Sequence, residues 1–145
     1  MRSSLSVERV AGTMHGTGAP LLTPFDDEGD VDYDALGELA TWLTDAGVDF
    51  LVPCGSTSEA PLLTADERER VVGTVADAVD CPIVAGTGTE SRRASVDAAE
   101  RAAAAGADAV LAVTRCQKPR RGANDTSTRG ESPAYGRRGD RKSVV

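Results

Sequence analysis

The chain has 145 residues, enough for one domain, and combines 40% hydrophobic with only 3% aromatic residues, which predicts a core of alanine, valine and leucine. Residues 1–114 carry 7 basic and 20 acidic residues, a net charge of −13, whereas residues 115–145 carry 9 basic and 3 acidic residues, a net charge of +6. We expect the acidic body not to bind nucleic acid, because it would repel phosphates, and no apolar run approaches the roughly 20 residues of a membrane span.

The amino-terminal stretch and the metal-binding residue types exclude several protein classes. Residues 1–13 are polar and lack the apolar region of a signal peptide, so they are predicted to be a disordered leader of a cytoplasmic protein. Three cysteines without C-x-x-C spacing and a single histidine, His15, argue against a disulfide framework or a zinc site. We expect neither a metal nor a cofactor.

Lysine is distributed as unevenly as charge. Residues 1–114 contain none, and Lys118 and Lys142 both follow them. An acidic body without lysine suggests a halophilic surface, on which carboxylates hold water and ions. This hypothesis is tested by lowering the salt concentration, which should then unfold the protein.

The first part of the body has the pattern of strand, helix, strand. Residues 17–24 form a short apolar run bounded by glycine and proline, typical of a strand. Helical spacing predicts a helix over 33–46, with Asp32 as its N-cap and Gly47 ending it. Residues 48–54 predict the second strand. The inward face of this helix is predicted to consist of Leu36, Leu39, Ala40, Leu43 and Ala46.

The pattern continues with two more helices and two more strands. Thr64 and Glu67 fit a capping box that begins a helix extending to about Val79. A strand over 82–85, a helix over 91–105 and a strand over 109–113 follow. This β-α-β-α-β-α-β order predicts right-handed βαβ units and a parallel sheet. The inward face of the second helix is predicted to consist of Val71, Val72, Val75 and Val79.

Two similar segments lie 59 residues apart. Ala46-Gly-Val-Asp-Phe-Leu-Val52 resembles Ala105-Gly-Ala-Asp-Ala-Val-Leu111. An offset of two βα units indicates a repeating βα architecture, although Ala-Gly-x-Asp is also a common joint between a helix and a strand.

The candidate site is the loop Gly55-Ser-Thr-Ser-Glu59, which follows an apolar strand. Its hydroxyls, together with N–H groups freed by a turn at Gly55, suit an anion such as a carboxylate or phosphate. The alternative is structural, since Ser56 and Glu59 also fit a capping box. Cys54 has no histidine or other base near it in sequence and is predicted to pack in the core.

Four strand ends resemble one family of enzymes. They are Leu21-Leu-Thr-Pro-Phe25, the loop Gly55–Glu59, Gly86-Thr-Gly88 and Leu111-Ala-Val-Thr114. With their spacing, they make residues 14–114 similar to the amino-terminal part of the dihydrodipicolinate synthase / N-acetylneuraminate lyase family, the pyruvate-dependent class I aldolases. The resemblance implies an α/β fold, a partial (β/α)8 TIM barrel of four strands and three helices. Residues 115–145 have no hydrophobic period and are rich in arginine, glycine and serine, which predicts a disordered basic tail.

The resemblance also implies a mechanism. Family members are lyases that form or cleave a C–C bond through a Schiff base between pyruvate and a lysine of the sixth strand, with a tyrosine of the fifth strand moving protons. Matched by position, Ser56 and Thr57 would hold the pyruvate carboxylate, and Ser56 would relay protons. The family is also expected to form homo-oligomers. The second substrate stays open between aspartate semialdehyde and a sugar acid, and the form of residues 54–60 is closer to the 2-keto-3-deoxygluconate aldolases.

The chain departs from the family in two places. The family loop, Gly-Ser/Thr-Thr-Gly-Glu, has glycine where this chain has Ser58, which suggests the hypothesis that the backbone there needs a positive φ. The family continues its fourth strand as Thr-Pro-Tyr-Tyr, whereas this chain reads Thr114-Arg-Cys-Gln, and an aldolase barrel needs about 250 residues. We therefore expect a chain truncated before the catalytic tyrosine and lysine, inactive alone, with a frameshift near Thr114.

Two other function classes remain open. A non-catalytic half-barrel could dimerise through its open sheet edges, or bind nucleic acid or an acidic partner through its basic tail. A Rossmann-like nucleotide binder has only Gly86-x-Gly88 in its favour, because Ser91 stands where the third glycine belongs.

Overall fold

The computed structural model describes residues 14–113 and the backbone of residues 143–144. Strands and helices alternate along the body, and a short 3₁₀ turn (Ala60–Leu62) follows the second strand. In chain order the elements are β1 (Gly18–Pro20), α1 (Tyr33–Asp45), β2 (Phe50–Val52), α2 (Ala65–Ala78), β3 (Val84–Gly86), α3 (Arg92–Ala105), β4 (Ala109–Ala112) and β5 (Ser143–Val144).

The first four strands lie side by side in chain order, and all are parallel. β1 pairs with β2 and β3 pairs with β4, while a bridge between Leu51 and Ile83 joins β2 to β3. A Rossmann-like sheet would reverse its strand order at a switch point, and this sheet does not. The predicted four strands and three helices are therefore confirmed, and the Rossmann-like alternative is wrong.

On the side away from β3, β4 pairs with β5 in the antiparallel direction, with Leu111 opposite Val144 and Ala112 opposite Ser143. The sequence does not predict this strand. The predictions for the leader and for the rest of 115–145 lie outside the described residues.

The core is built from aliphatic side chains, as the composition predicts. α1 packs against α2, and α2 packs against α3. The predicted inward valines of α2 are all buried. On α1, Leu36 and Ala40 are buried, and Leu39 and Leu43 are partly buried against the core. Ala46 is exposed, contrary to the prediction, because the helix ends at Asp45 and Ala46 is only its C-cap.

The helix ends follow the predicted local signals. Asp32 accepts a hydrogen bond from the Ala35 N–H at 2.9 Å, and Gly47 takes a left-handed φ of 94°. Thr64 and Glu67 form the full capping box. The hydrogen bonds that Thr64 donates to the Glu67 carboxylate lower the pKa of that carboxyl group. Each helix therefore begins where a polar side chain can satisfy free N–H groups.

The two similar segments share an aspartate with a common role. Asp49 Oδ2 accepts a hydrogen bond at 2.6 Å from the N–H of Thr17, just before β1. Asp108 Oδ2 accepts one at 3.0 Å from the N–H of Ile83, just before β3. Each aspartate thus fixes the start of the strand beside its own, which explains why the joint repeats.

Replacing the second aspartate should destabilise the protein more than replacing the first. Asp108→Ala leaves the N–H of the fully buried Ile83 without this partner, and such a loss costs about 1–3 kcal/mol. Asp49→Ala is the matched control, because Thr17 is exposed and its N–H can bind water, so a loss below about 0.5 kcal/mol is expected. Urea unfolding of the two variants measures both values, and equal losses would contradict this account.

Candidate functional site

The loop 55–59 lies between the exits of β1 and β3. The Leu21 N–H donates to the Val52 carbonyl at 3.1 Å, which holds the exit of β1 beside β2. The Gly86 N–H donates to the Pro53 carbonyl at 2.9 Å, which holds the exit of β3 on the other side. The loop therefore occupies the carboxyl end of a parallel sheet, where α/β enzymes place their sites.

Ser56 and Thr57 are the exposed hydroxyl residues of the loop. Both residues are exposed, and within residues 14–113 neither hydroxyl has a hydrogen-bond partner. The N–H groups of residues 56–58 likewise have no acceptor in that range. The Gly55 N–H, in contrast, donates to Ser58 Oγ at 3.1 Å. The free N–H groups predicted for the turn at Gly55 are thus found at 56–58, whereas the N–H of Gly55 itself is bonded within the loop.

The alternative interpretation of the loop as a capping box is wrong. The 3₁₀ turn begins at Ala60, and no side chain caps it. Glu59, which precedes it, has a left-handed φ of 55°, and its N–H donates to the Ser56 carbonyl at 3.3 Å. The hydroxyl of Ser56 is therefore not used by local structure.

Ser58 is the buried member of the loop, with 1% of its surface exposed. Its hydroxyl accepts the Gly55 N–H and donates to the Leu21 carbonyl. Its own carbonyl accepts a hydrogen bond from Thr23 Oγ1 at 2.9 Å. Ser58 thus attaches the loop to the exit of β1 at two points.

Cys54 packs in the core beneath the loop, as predicted. It is 4% exposed, and its thiol donates to the Arg68 carbonyl at a distance of 3.8 Å. Burial raises the pKa of the thiol to about 11, so it stays protonated and non-nucleophilic at neutral pH. A cavity of about 190 Å³ next to Cys54 lies between α2 and α3, and neither Ser56 nor Thr57 lines it.

The described residues offer no metal ligand cluster. Across 14–113, no group of three or more histidine, cysteine, aspartate or glutamate side chains is placed to hold an ion. None of the helices in that range has the length and apolar character needed to cross a bilayer.

Residues 13–116 match the model of the dihydrodipicolinate synthetase family. The chain belongs to this family. Over 103 residues it is 45% identical to a 4-hydroxy-tetrahydrodipicolinate synthase of Natronomonas pharaonis, covering 70% of this chain and 35% of that protein. It is 43% identical over 101 residues to a protein of the same name from Haloarcula marismortui, covering 69% and 33%. The chain thus spans about a third of the length of these curated relatives.

Solved structures of the family show the same fold. The crystal structure of dihydrodipicolinate synthase from Aquifex aeolicus superposes with a TM-score of 0.65 at 37% identity, covering 68% of this chain and 34% of that one. A monomeric dihydrodipicolinate synthase variant gives 0.66 at 33% identity, covering 70% and 34%. The body therefore has the fold of the amino-terminal part of a TIM-barrel synthase, as the sequence predicts.

Ser58 resolves the question raised by the family's glycine. Its φ is not positive, so this backbone does not require glycine at that position. In residues 14–113 the non-glycine residues with positive φ are Cys54, at 57°, and Glu59, one on each side of the hydroxyl-bearing turn. The serine is therefore accommodated without backbone strain of its own.

Sequence reasoning missed the two residues that hold the loop, Thr23 and Ser58. Thr23 is 7% exposed and lies in the Leu-Leu-Thr-Pro-Phe motif, whose sequence indicates only a strand ending. The substitution of serine for the family's glycine is the one sequence signal that marks Ser58. The sequence shows neither hydrogen bond, because each joins residues far apart in the chain.

Proposed function

We propose that the body is the amino-terminal part of a class I aldolase-type lyase, and that its loop 55–59 binds the carboxylate of pyruvate. One observation carries the proposal: Ser56 and Thr57 present free hydroxyls and free N–H groups, while the buried Ser58 that follows them is fixed by hydrogen bonds. Successive N–H groups in a turn form a concave site for an anion, and hydroxyls add donors at its rim.

In this proposal each loop residue has a separate task. Thr57 donates to a carboxylate oxygen and orients the pyruvate. Ser56 also contacts the carboxylate and, since a hydroxyl both donates and accepts, relays protons to a tyrosine. That tyrosine and the Schiff-base lysine would come from the fifth and sixth strands of the barrel, outside residues 14–113. Residues 1–114 contain no lysine, so the body cannot form the Schiff base itself. Its part in the reaction is to bind and orient pyruvate.

For the second substrate we propose the synthase reaction, with aspartate semialdehyde as the acceptor. The curated relatives named above favour it over the sugar-acid cleavage suggested by residues 54–60. We expect the complete enzyme to be a cytoplasmic homo-oligomer.

The charge reversal after residue 114 favours one second candidate, a half-barrel that binds nucleic acid or an acidic partner through its basic tail. The frameshift hypothesis competes with it and stays a prediction. Translating the coding DNA past codon 114 in the other two frames separates them. A frame that continues as Pro-Tyr-Tyr and later supplies a tyrosine strand and a lysine strand supports the shifted frame, and its absence favours a genuine tail.

A chimera tests the proposed function. Residues 14–113 replace the matched segment of the Natronomonas pharaonis synthase, which supplies the remaining strands. Incubation with pyruvate and borohydride should trap a pyruvate adduct on the lysine of the chimera, detected by mass spectrometry. The isolated chain should give no adduct and no lyase activity, because Lys118 and Lys142 lie outside the body. A folded chimera that traps no pyruvate would show that this loop does not bind it.

A further inference from the structure

We propose that Ser58 is a positioning residue that holds the pyruvate-binding loop in its active geometry, an inference that rests on the proposed function. The family has glycine at this position, and glycine has no side chain that could hold the loop. Here the serine hydroxyl connects the Gly55 N–H within the loop to the Leu21 carbonyl at the exit of β1. The hydroxyl is used on both sides, as acceptor and as donor.

A second contact attaches the same residue to the same strand exit. Thr23 Oγ1 donates to the Ser58 carbonyl at 2.9 Å, and both side chains are buried. Buried hydrogen bonds of this kind are maintained because breaking them leaves polar groups without partners. Hydrogen bonds thus hold Ser58 at its side chain and at its main chain. Ser56 and Thr57, which precede it in the loop, are both exposed.

The backbone of the loop needs such an attachment. Cys54 and Glu59 adopt left-handed conformations, with φ of 57° and 55°, which residues other than glycine rarely adopt. Strained conformations of this kind persist only where the surroundings fix them. Ser58 lies between Cys54 and Glu59 in the chain and is hydrogen-bonded to the exit of β1. Ser56 and Thr57 are therefore held in position before any ligand binds.

The test uses the full-length chain labelled with ¹⁵N, with Ser58→Ala as the first variant and Ser58→Gly, the family's residue, as the second. Loss of the hydroxyl should speed hydrogen exchange of the Gly55 amide by roughly tenfold, since its acceptor is removed. Pyruvate is then titrated while the amide signals of Ser56 and Thr57 are followed. Both variants should bind pyruvate more weakly, by about fivefold or more, because the loop is no longer fixed beforehand.

Thr44→Ala is the matched control. It removes a half-buried hydroxyl that donates to main-chain carbonyls within α1, away from the loop, and should leave the pyruvate titration unchanged. Unchanged Gly55 exchange in Ser58→Ala would overturn the proposal, as would a titration curve that matches the wild type. A wild-type chain in which pyruvate shifts neither amide would instead refute the proposed function, and Gly55 exchange alone would then decide whether Ser58 fixes the loop.

Discussion

Gly86→Val should unfold the protein or lower its free energy of unfolding by about 3 kcal/mol or more, the upper range of overpacking effects. A Cβ atom at position 86 would lie 2.0 Å from the carbonyl oxygen of Cys54 and 2.9 Å from the nitrogen of Gly55. Both are backbone atoms, so no flexible side chain can move aside. The Gly86 N–H also donates to Pro53, which keeps the two strand exits in this close contact.

Gly73→Ala provides the control for Gly86. Gly73 lies within α2, and an added Cβ there meets nothing within 4 Å. Alanine favours a helix over glycine by up to about 1 kcal/mol, so this variant should be more stable than the wild type. Urea unfolding followed by circular dichroism compares the two on the full chain. If the urea midpoint of Gly86→Val equals that of the wild type, the close approach of β2 and β3 is not as described.

The helices could be predicted from the sequence because their signals are local. Asp32 and Thr64 mark helix starts, and Gly47, with a φ of 94°, marks a helix end. Each signal acts within a few residues, on N–H or carbonyl groups that the helix leaves free. For this reason the predicted and observed helix limits differ by only a residue or so.

The strands were predicted too long because their limits depend on pairing partners. The sequence predicts the second strand over 48–54, and the structure has it at Phe50–Val52. A strand ends where its neighbours stop pairing, and here the chain turns at Cys54, whose left-handed φ has no local sequence signal. The short β5 could not be predicted for the same reason, since two residues carry no period of their own.

The candidate site was predictable in its exposed part only. Ser56 and Thr57 stand out as hydroxyls following an apolar run, and the structure exposes both. The burial of Ser58 follows from contacts with Leu21 and Thr23, which lie in another strand exit. The N–H of Gly55 is bonded by the Ser58 hydroxyl, which itself donates to the distant Leu21 carbonyl, so the sequence alone could not separate Gly55 from the residues that follow.

The chimera described above should distinguish the roles of Ser56 and Thr57. Ser56→Ala should lower kcat by about 100-fold, the lower range for losing a group that transfers protons. Thr57→Val should mainly raise KM, by about tenfold, because a hydrogen bond to the charged carboxylate is lost in the ground state and the transition state alike. Steady-state kinetics with pyruvate as the varied substrate separates the two effects.

Conservative replacement makes this prediction specific. Ser56→Thr keeps the hydroxyl and matches the family's Ser/Thr position, so it should retain most of the wild-type kcat. Thr41→Ala, on the exposed face of α1, should change neither constant, since its hydroxyl donates only to the Gly37 carbonyl within that helix. If Ser56→Ala kept full kcat while Ser56→Thr lost it, the serine would matter for its size rather than its proton. The exposed hydroxyl would then not be a proton relay.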